Sequence, residues 1–128
     1  MTATRRTDIL LVHNQALTRA AWRSLVETWT EIASVREASN LADAQKSIIR
    51  DSPDLIMLDA DCYADLGAAA ISALRNTAER AHILLLCSEQ NLLVQRQAIA
   101  MGAMGVVPKE KPPEVLRKAI KRITAGEI

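Results

Sequence analysis

Aromatic residues are scarce in this chain: Trp22, Trp29 and Tyr63 are the whole set, and phenylalanine is absent. A single-strand nucleic-acid binder stacks bases on aromatics set among basic residues, and nothing here supplies that pattern. The core must instead come from Leu, Ile, Val, Met and Ala. Only Cys62 and Cys87 carry thiols, too few and too scattered for a disulfide framework. Neither charge dominates, since 16 Lys and Arg face 15 Asp and Glu for a net charge of +1. A global drive toward nucleic acid or a membrane surface is therefore missing. Long apolar runs are missing too. The stretch 83–87 is among the longest, far short of the roughly 20 residues a membrane helix needs. Arg5 and Arg6 are not followed by the apolar segment of a signal peptide. These absences point to a cytoplasmic protein.

What is present is an alternation. Apolar runs of strand length fall at residues 9–12, 55–58, 83–86 and 104–107, with a weaker one over about 31–37. Continuous apolar runs suit strands of a parallel sheet covered on both faces. Between them lie stripes at helical spacing. Leu17, Ala21 and Leu25 recur every fourth residue, with Trp22, Val26 and Trp29 alongside. Leu41, Ala44 and Ile48 follow, with Asn40 or Ser39 as N-cap. Ala70, Ile71 and Leu74 mark a third helix, and Val94, Ala98 and Met101 a fourth that Gly102 can end. Val115, Leu116, Ala119, Ile120 and Ile123 mark the last, opened by Pro112 and Pro113. The 128 residues fit one domain, large enough to bury a core without disulfide or metal. Five strand–helix pairs predict an open doubly wound α/β sheet with right-handed crossovers. The segment 124–128 is small and polar enough to begin a linker.

In such a fold, chemistry gathers outside the carboxyl ends of the strands. That directs attention to His13 and Asn14, to residues 59–65, to Cys87 and Ser88, and to Pro108 and Lys109. No glycine-rich phosphate loop follows the first strand, because residues 13–16 read His-Asn-Gln-Ala. A nucleotide-binding reading loses its main support there. A small flavodoxin-shaped enzyme is a further class, but neither a phosphate loop nor a catalytic triad supports it.

Three segments carry a family resemblance: residues 53–59 (PDLIMLD), residues 102–109 (GAMGVVPK), and the stretch from Pro113-Glu114 through Ala125-Gly126-Glu127. In this order and spacing they resemble the response-regulator receiver domains. Within that family they resemble the branch that precedes LuxR/NarL-type DNA-binding domains. The resemblance runs from about Ile9 to Glu127. It implies a CheY-like (βα)5 three-layer sandwich around a five-stranded parallel sheet, with one receiver domain over 1–128 and its core at about 7–125. It implies a signalling module of two-component phosphorelays rather than an enzyme. A sensor histidine kinase or another signalling protein would be its partner, homodimers would be a further assembly, and this segment would not touch DNA or membrane. By the same resemblance Asp59 holds the phosphoacceptor position, forming an acyl phosphate, and Lys109 pairs with phosphoryl oxygens as a point charge.

Four positions depart from the family pattern. Receivers place two acids after the first strand to hold Mg²⁺, where this chain has His13 and Asn14. The hydroxyl position ending the fourth strand is Cys87, and the aromatic switch position on the fifth is Val106. Pro108 precedes the lysine, and no proline follows it. Mg²⁺ wants oxygen ligands in octahedral array. Asp59, the Asn14 carbonyl and Asp61 could offer only a weak site, and His13 offers nitrogen. Phosphorylation is then expected to be slow or absent, and the switch muted, since a thiol bonds weakly and valine has no ring to swing. The alternative is a phosphorylation-independent pseudo-receiver acting through protein contacts or dimerisation.

Further readings stay open. His13 beside Asp59 could sense pH or simply fill the vacated acid site. Cys62 and Cys87 could join in a redox disulfide, bind a soft metal with His13, or stay reduced. Leu92, Leu93 and Val94 could form an apolar contact patch or pack inward. Arg117, Lys118, Lys121 and Arg122 read as the solvated face of the last helix.

Overall fold

The computed structural model describes residues 6–59, 68–78, 80–88, 92–100 and 103–125. Strands and helices alternate along the chain: β1 (Thr7–Val12), α1 (Ala16–Glu27), β2 (Ile32–Ala38), α2 (Leu41–Arg50), β3 (Leu55–Asp59), α3 (Ala68–Thr77), β4 (His82–Cys87), α4 (Leu92–Ala100), β5 (Gly105–Pro108) and α5 (Pro113–Thr124). The sheet is five-stranded in the order β2-β1-β3-β4-β5, and its four pairings are all parallel. The expected (βα)5 three-layer α/β architecture is the one observed.

The apolar runs explain the layering. Alternate side chains of one strand point to opposite faces, so every strand feeds two cores. Leu10, Val12, Ile56, Leu58, Ile83 and Leu85 pack on one face with Ala44 and Ile48 of α2 and Ile71 and Leu74 of α3. Ile9, Leu11, Leu55, Met57, Leu84 and Leu86 pack on the other with Val26 of α1 and Ile120 and Ile123 of α5. Asn40 caps α2 as its side-chain oxygen accepts from the Asp43 amide at 2.8 Å. Pro113 opens α5 where its missing N–H costs nothing. Gly105 has a packing reason: a Cβ there would lie 2.9 Å from Cδ1 of Ile123 and 3.2 Å from Cδ1 of Leu84, so α5 can seat closely on β5.

Two expectations need correction. Leu17 was placed on the apolar stripe of α1 but is 88% exposed, and Ala21 is exposed with it. The buried edge of α1 runs through Trp22, Leu25 and Val26 toward Trp29, so of the every-fourth-residue line Leu25 alone packs against the core. Arg117 is not simply solvated. Its Nε and Nη2 donate to the two carboxylate oxygens of Glu31 at 2.7 and 3.0 Å, and its guanidinium sits 5.8 Å from the Trp29 ring centroid. The fork geometry suits a bidentate carboxylate, and it ties α5 to the entry of β2. The Gly102 cap, Met101 and the whole segment 60–67 lie outside the described residues.

Candidate functional site at the carboxyl ends of β1, β3 and β5

Three side chains meet at one rim of the sheet. His13 directly follows β1, Asp59 ends β3, and Lys109 directly follows β5. Because β3 lies between β1 and β4, with β5 beyond, the parallel register brings all three to the same end. The main chain holds them there. The His13 amide donates to the Ala38 carbonyl at 3.1 Å, which extends the β1–β2 ladder, and the Lys109 amide donates to the Cys87 carbonyl at 2.8 Å.

Asp59 is almost wholly buried, at 1% exposure, and a carboxylate so placed needs partners. Lys109 Nζ donates to Oδ1 at 3.3 Å and to Oδ2 at 3.2 Å. His13 Nε2 lies 3.0 Å from Oδ2. The tautomer of His13 follows from its other nitrogen: the Gln15 amide donates to Nδ1 at 2.9 Å. Nδ1 must therefore present a lone pair, which places the proton on Nε2, where it is donated to Asp59. Burial holds the imidazole below its ordinary pKa of 6.5. The Asp59 charge opposes that effect, and Lys109 and Arg19 reinforce it. His13 is thus a neutral donor to the carboxylate. Trp22 meets the ring edge-to-face at 5.0 Å, and Arg19 Nη1 donates to the His13 carbonyl at 2.8 Å. Arg19 and Arg23 both also reach Glu37 at 2.8 Å, and their donation, Arg23 first, lowers the Glu37 pKa.

The remaining candidates sit around this cluster. Asn14 is exposed and lines the same cleft as Asp59 and Lys109. Cys87 ends β4 and is fully buried. Val106 lies on β5, half-buried against the core shared with α2 and α3. Ser88 donates to Glu110 at 3.2 Å. Asp61 and Cys62 lie outside the described residues, and with them the Asp61 ligand and the readings that pair Cys62 with Cys87 or with a soft metal. For a hard cation, the described residues offer one carboxylate, whose Oδ2 already accepts from His13 and Lys109, and the amide oxygen of Asn14. An N–H aimed at that oxygen is not a ligand, so this donor set fits Mg²⁺ poorly. Among the described residues, no group of three or more His, Cys, Asp or Glu could hold a metal ion. Nor is any helix among them long and apolar enough to cross a membrane.

Sequence reasoning found Asp59, Lys109 and His13 but missed Trp22 as the support of His13 and Arg19 as the clamp on its carbonyl. Only the i, i+3 spacing of Arg19 and Trp22 hinted that both face the end of β1.

Comparison with known proteins agrees with this geometry. Residues 9–121 match the response regulator receiver domain family. The glycerol metabolism activator of Pseudomonas putida is 30% identical over 122 residues, covering 94% of this chain and 55% of that protein. The nitrate/nitrite response regulator protein NarL of Escherichia coli (strain K12) is 28% identical over 120 residues, covering 94% and 56%. The chain thus spans about half the length of the curated relatives it matches. Among solved structures, a LuxR-family two-component response regulator from Aurantimonas sp. SI85-9A1 superposes with a TM-score of 0.85 at 29% identity, over 95% of this chain and 87% of that one. A parallel sheet ordered 2-1-3-4-5, an aspartate and a lysine joined at its rim, and a family match over nearly the whole chain lead to one conclusion: this chain belongs to the response regulator receiver domain family.

Proposed function

We propose that this receiver domain is the regulatory module of a LuxR/NarL-type transcription regulator, paired with a sensor histidine kinase, and that Asp59 holds its phosphoacceptor position. The observation that carries this reading is the contact of Lys109 Nζ with both oxygens of a buried Asp59 at the strand ends. In phosphotransfer, an Asp59 oxygen would attack the donor's phosphorus. The donor's own bond to phosphorus would break and an acyl phosphate would form. Lys109 would then neutralise charge on the phosphoryl oxygens. The curated relatives' names as activators and response regulators support the transcriptional role.

A second reading rests on His13. Its Nε2–H occupies Oδ2, the oxygen that Lys109 also approaches most closely. Attack through Oδ2 requires one of these donors to let go, and the two acids that would recruit Mg²⁺ are replaced by His13 and Asn14. On this reading metal binding is weak, and the domain signals in a fixed conformation through protein contacts. Cys87 and Val106 stand at the hydroxyl and aromatic switch positions and supply neither group.

Intact-mass analysis after treatment with a small phosphodonor, with and without Mg²⁺, separates the two. Stoichiometric, Mg²⁺-dependent addition of one phosphoryl group, lost in Asp59→Asn, supports the phosphoacceptor role of Asp59 on which the first reading depends. No addition under either condition, with the fold intact, establishes the second.

A further inference from the structure

His13 donates to Asp59 from a turn that lacks the usual fasteners. Only Asn14 and Gln15 separate it from α1. Gln15, the N-cap of that helix, makes no side-chain cap bond, and the first turn carries no acid. Neither device that commonly secures a helix start is therefore in use. Yet the ring must be held closely, because a buried imidazole that drifts leaves its bond to Oδ2 of Asp59 unmade. Arg19 supplies the fastening at two points. Its main-chain amide donates to the Gln15 carbonyl at 2.9 Å, and its Nη1 donates to the His13 carbonyl at 2.8 Å. Between these two carbonyls lies the Gln15 amide, the donor to His13 Nδ1. The guanidinium is itself anchored from β2, where its Nε donates to Oε1 of Glu37 at 2.8 Å. Arg23 takes the other oxygen of Glu37 and bonds Glu27, not the turn. Side-chain exposure separates the two arginines, at 17% for Arg19 and 44% for Arg23. A desolvated charged donor has more to lose when its acceptor goes.

We propose that Arg19 is a positioning residue for Asp59: anchored by Glu37, it locks the turn 13–15 so that the imidazole N–H stays on Oδ2. The inference rests on the reading in which His13 occupies that oxygen. It extends the reading to α1 and β2, whose Arg19 and Glu37 act on Asp59 only through His13. Loosening the clamp frees Oδ2 while the imidazole, the carboxylate and Lys109 all stay in the chain. The state of the acceptor oxygen on β3 is thereby set from the α1–β2 side of the fold.

The test follows the Nε2 proton of His13 by NMR of the isotope-labelled chain, above the ordinary imidazole pKa of 6.5, and measures its exchange with water. In the native chain the proton should be protected. Arg19→Gln should speed its exchange about tenfold and leave the amide protection of Leu10 and Leu11 in β1 unchanged, a combination that general destabilisation does not produce. Glu37→Ala, which removes the outer anchor, should move it in the same direction by less. Arg23→Gln, which unties Glu37 and Glu27 but not the turn, should leave it as in the native chain. A native proton that exchanges as freely as an exposed one, a proton indifferent to Arg19→Gln, or an equal response to Arg23→Gln would each overturn the proposal. If Arg19→Gln fails to fold, an unchanged proton in Glu37→Ala overturns it instead. Phosphodonor treatment is read separately: a faster proton in Arg19→Gln, with no phosphoryl uptake by either chain, supports the clamp and counts against the phosphoacceptor reading alone.

Discussion

Replacing His13 and Asn14 together by aspartate should make the stability of the domain depend on Mg²⁺ more strongly than that of the native chain. The imidazole N–H now stabilises Asp59 at 3.0 Å from Oδ2. The introduced carboxylate at position 13 would remove that donor and set a second negative charge about 4 Å from the first, a repulsion of about 4 kcal/mol at an effective dielectric constant near 20. Lys109, at 3.2 Å, offsets part of it. In chelator the double variant should therefore melt below the native chain. Mg²⁺ should recover part of the loss, because two or three carboxylates now form an oxygen site. For a dissociation constant of about 1 mM, about 10 mM Mg²⁺ stabilises by about 1.4 kcal/mol, or about 5 °C in melting temperature for a domain of this size. Paired thermal melts in chelator and in Mg²⁺ measure it directly. A native chain that gains as many degrees from Mg²⁺ as the variant would refute the reasoning, since His13 would then not be what keeps the metal away.

Other consequences are equally open to measurement. Gly105→Val should cost about 1 to 3 kcal/mol, because even its Cβ would lie 2.9 Å from Ile123; denaturant unfolding checks it, and an unchanged midpoint would count against the close seating of α5. Donation from Arg117 holds the Glu31 pKa at about 2, against an ordinary value of 4.5. A depressed carboxyl pKa gives stability that is full above the unfolded value and lost as pH falls through the folded one. Glu31→Gln should accordingly flatten the acid arm of the stability curve between about pH 4.5 and 2, as read by chemical unfolding at a series of pH values. Leu92→Glu with Leu93→Glu should reduce any self-association through α4, where these side chains are 60% and 67% exposed; light scattering that shows the same mass for both chains would count against α4 as a contact patch.

Much of the architecture was legible because β1, β3 and β4 each carry a short unbroken apolar run, and burial on two faces leaves no alternation to misread. The observed β1, β3 and β4 extend the sequence-derived runs by one or two residues, as at Thr7, Asp59 and Cys87, whereas β2 and β5 sit one residue further along. Those added residues are the polar or sulfur-bearing ends that hydropathy cannot count but backbone pairing can. Asp59 and Lys109 were legible from the segments around them. The orientation of α1 was not. Leu17 fits a helical stripe as well as Val26 does, and only docking against Ile9, Leu11 and Glu37 selects the other edge. The role of Arg117 was hidden for a related reason: its partner Glu31 lies 86 residues away, beyond any local pattern. The state of His13 was also invisible in sequence, because it is set by a backbone amide, that of Gln15.

The partners at positions 13, 59 and 109 come from the first, third and fifth strand–helix units. No contiguous fragment shorter than almost the entire chain can assemble that trio, and loss of β5 alone would leave a buried carboxylate without its ammonium. Integrity of the charged rim is thus a report on completion of the fold, so a kinase, ligand or partner that recognises it discriminates against nascent or partly unfolded copies.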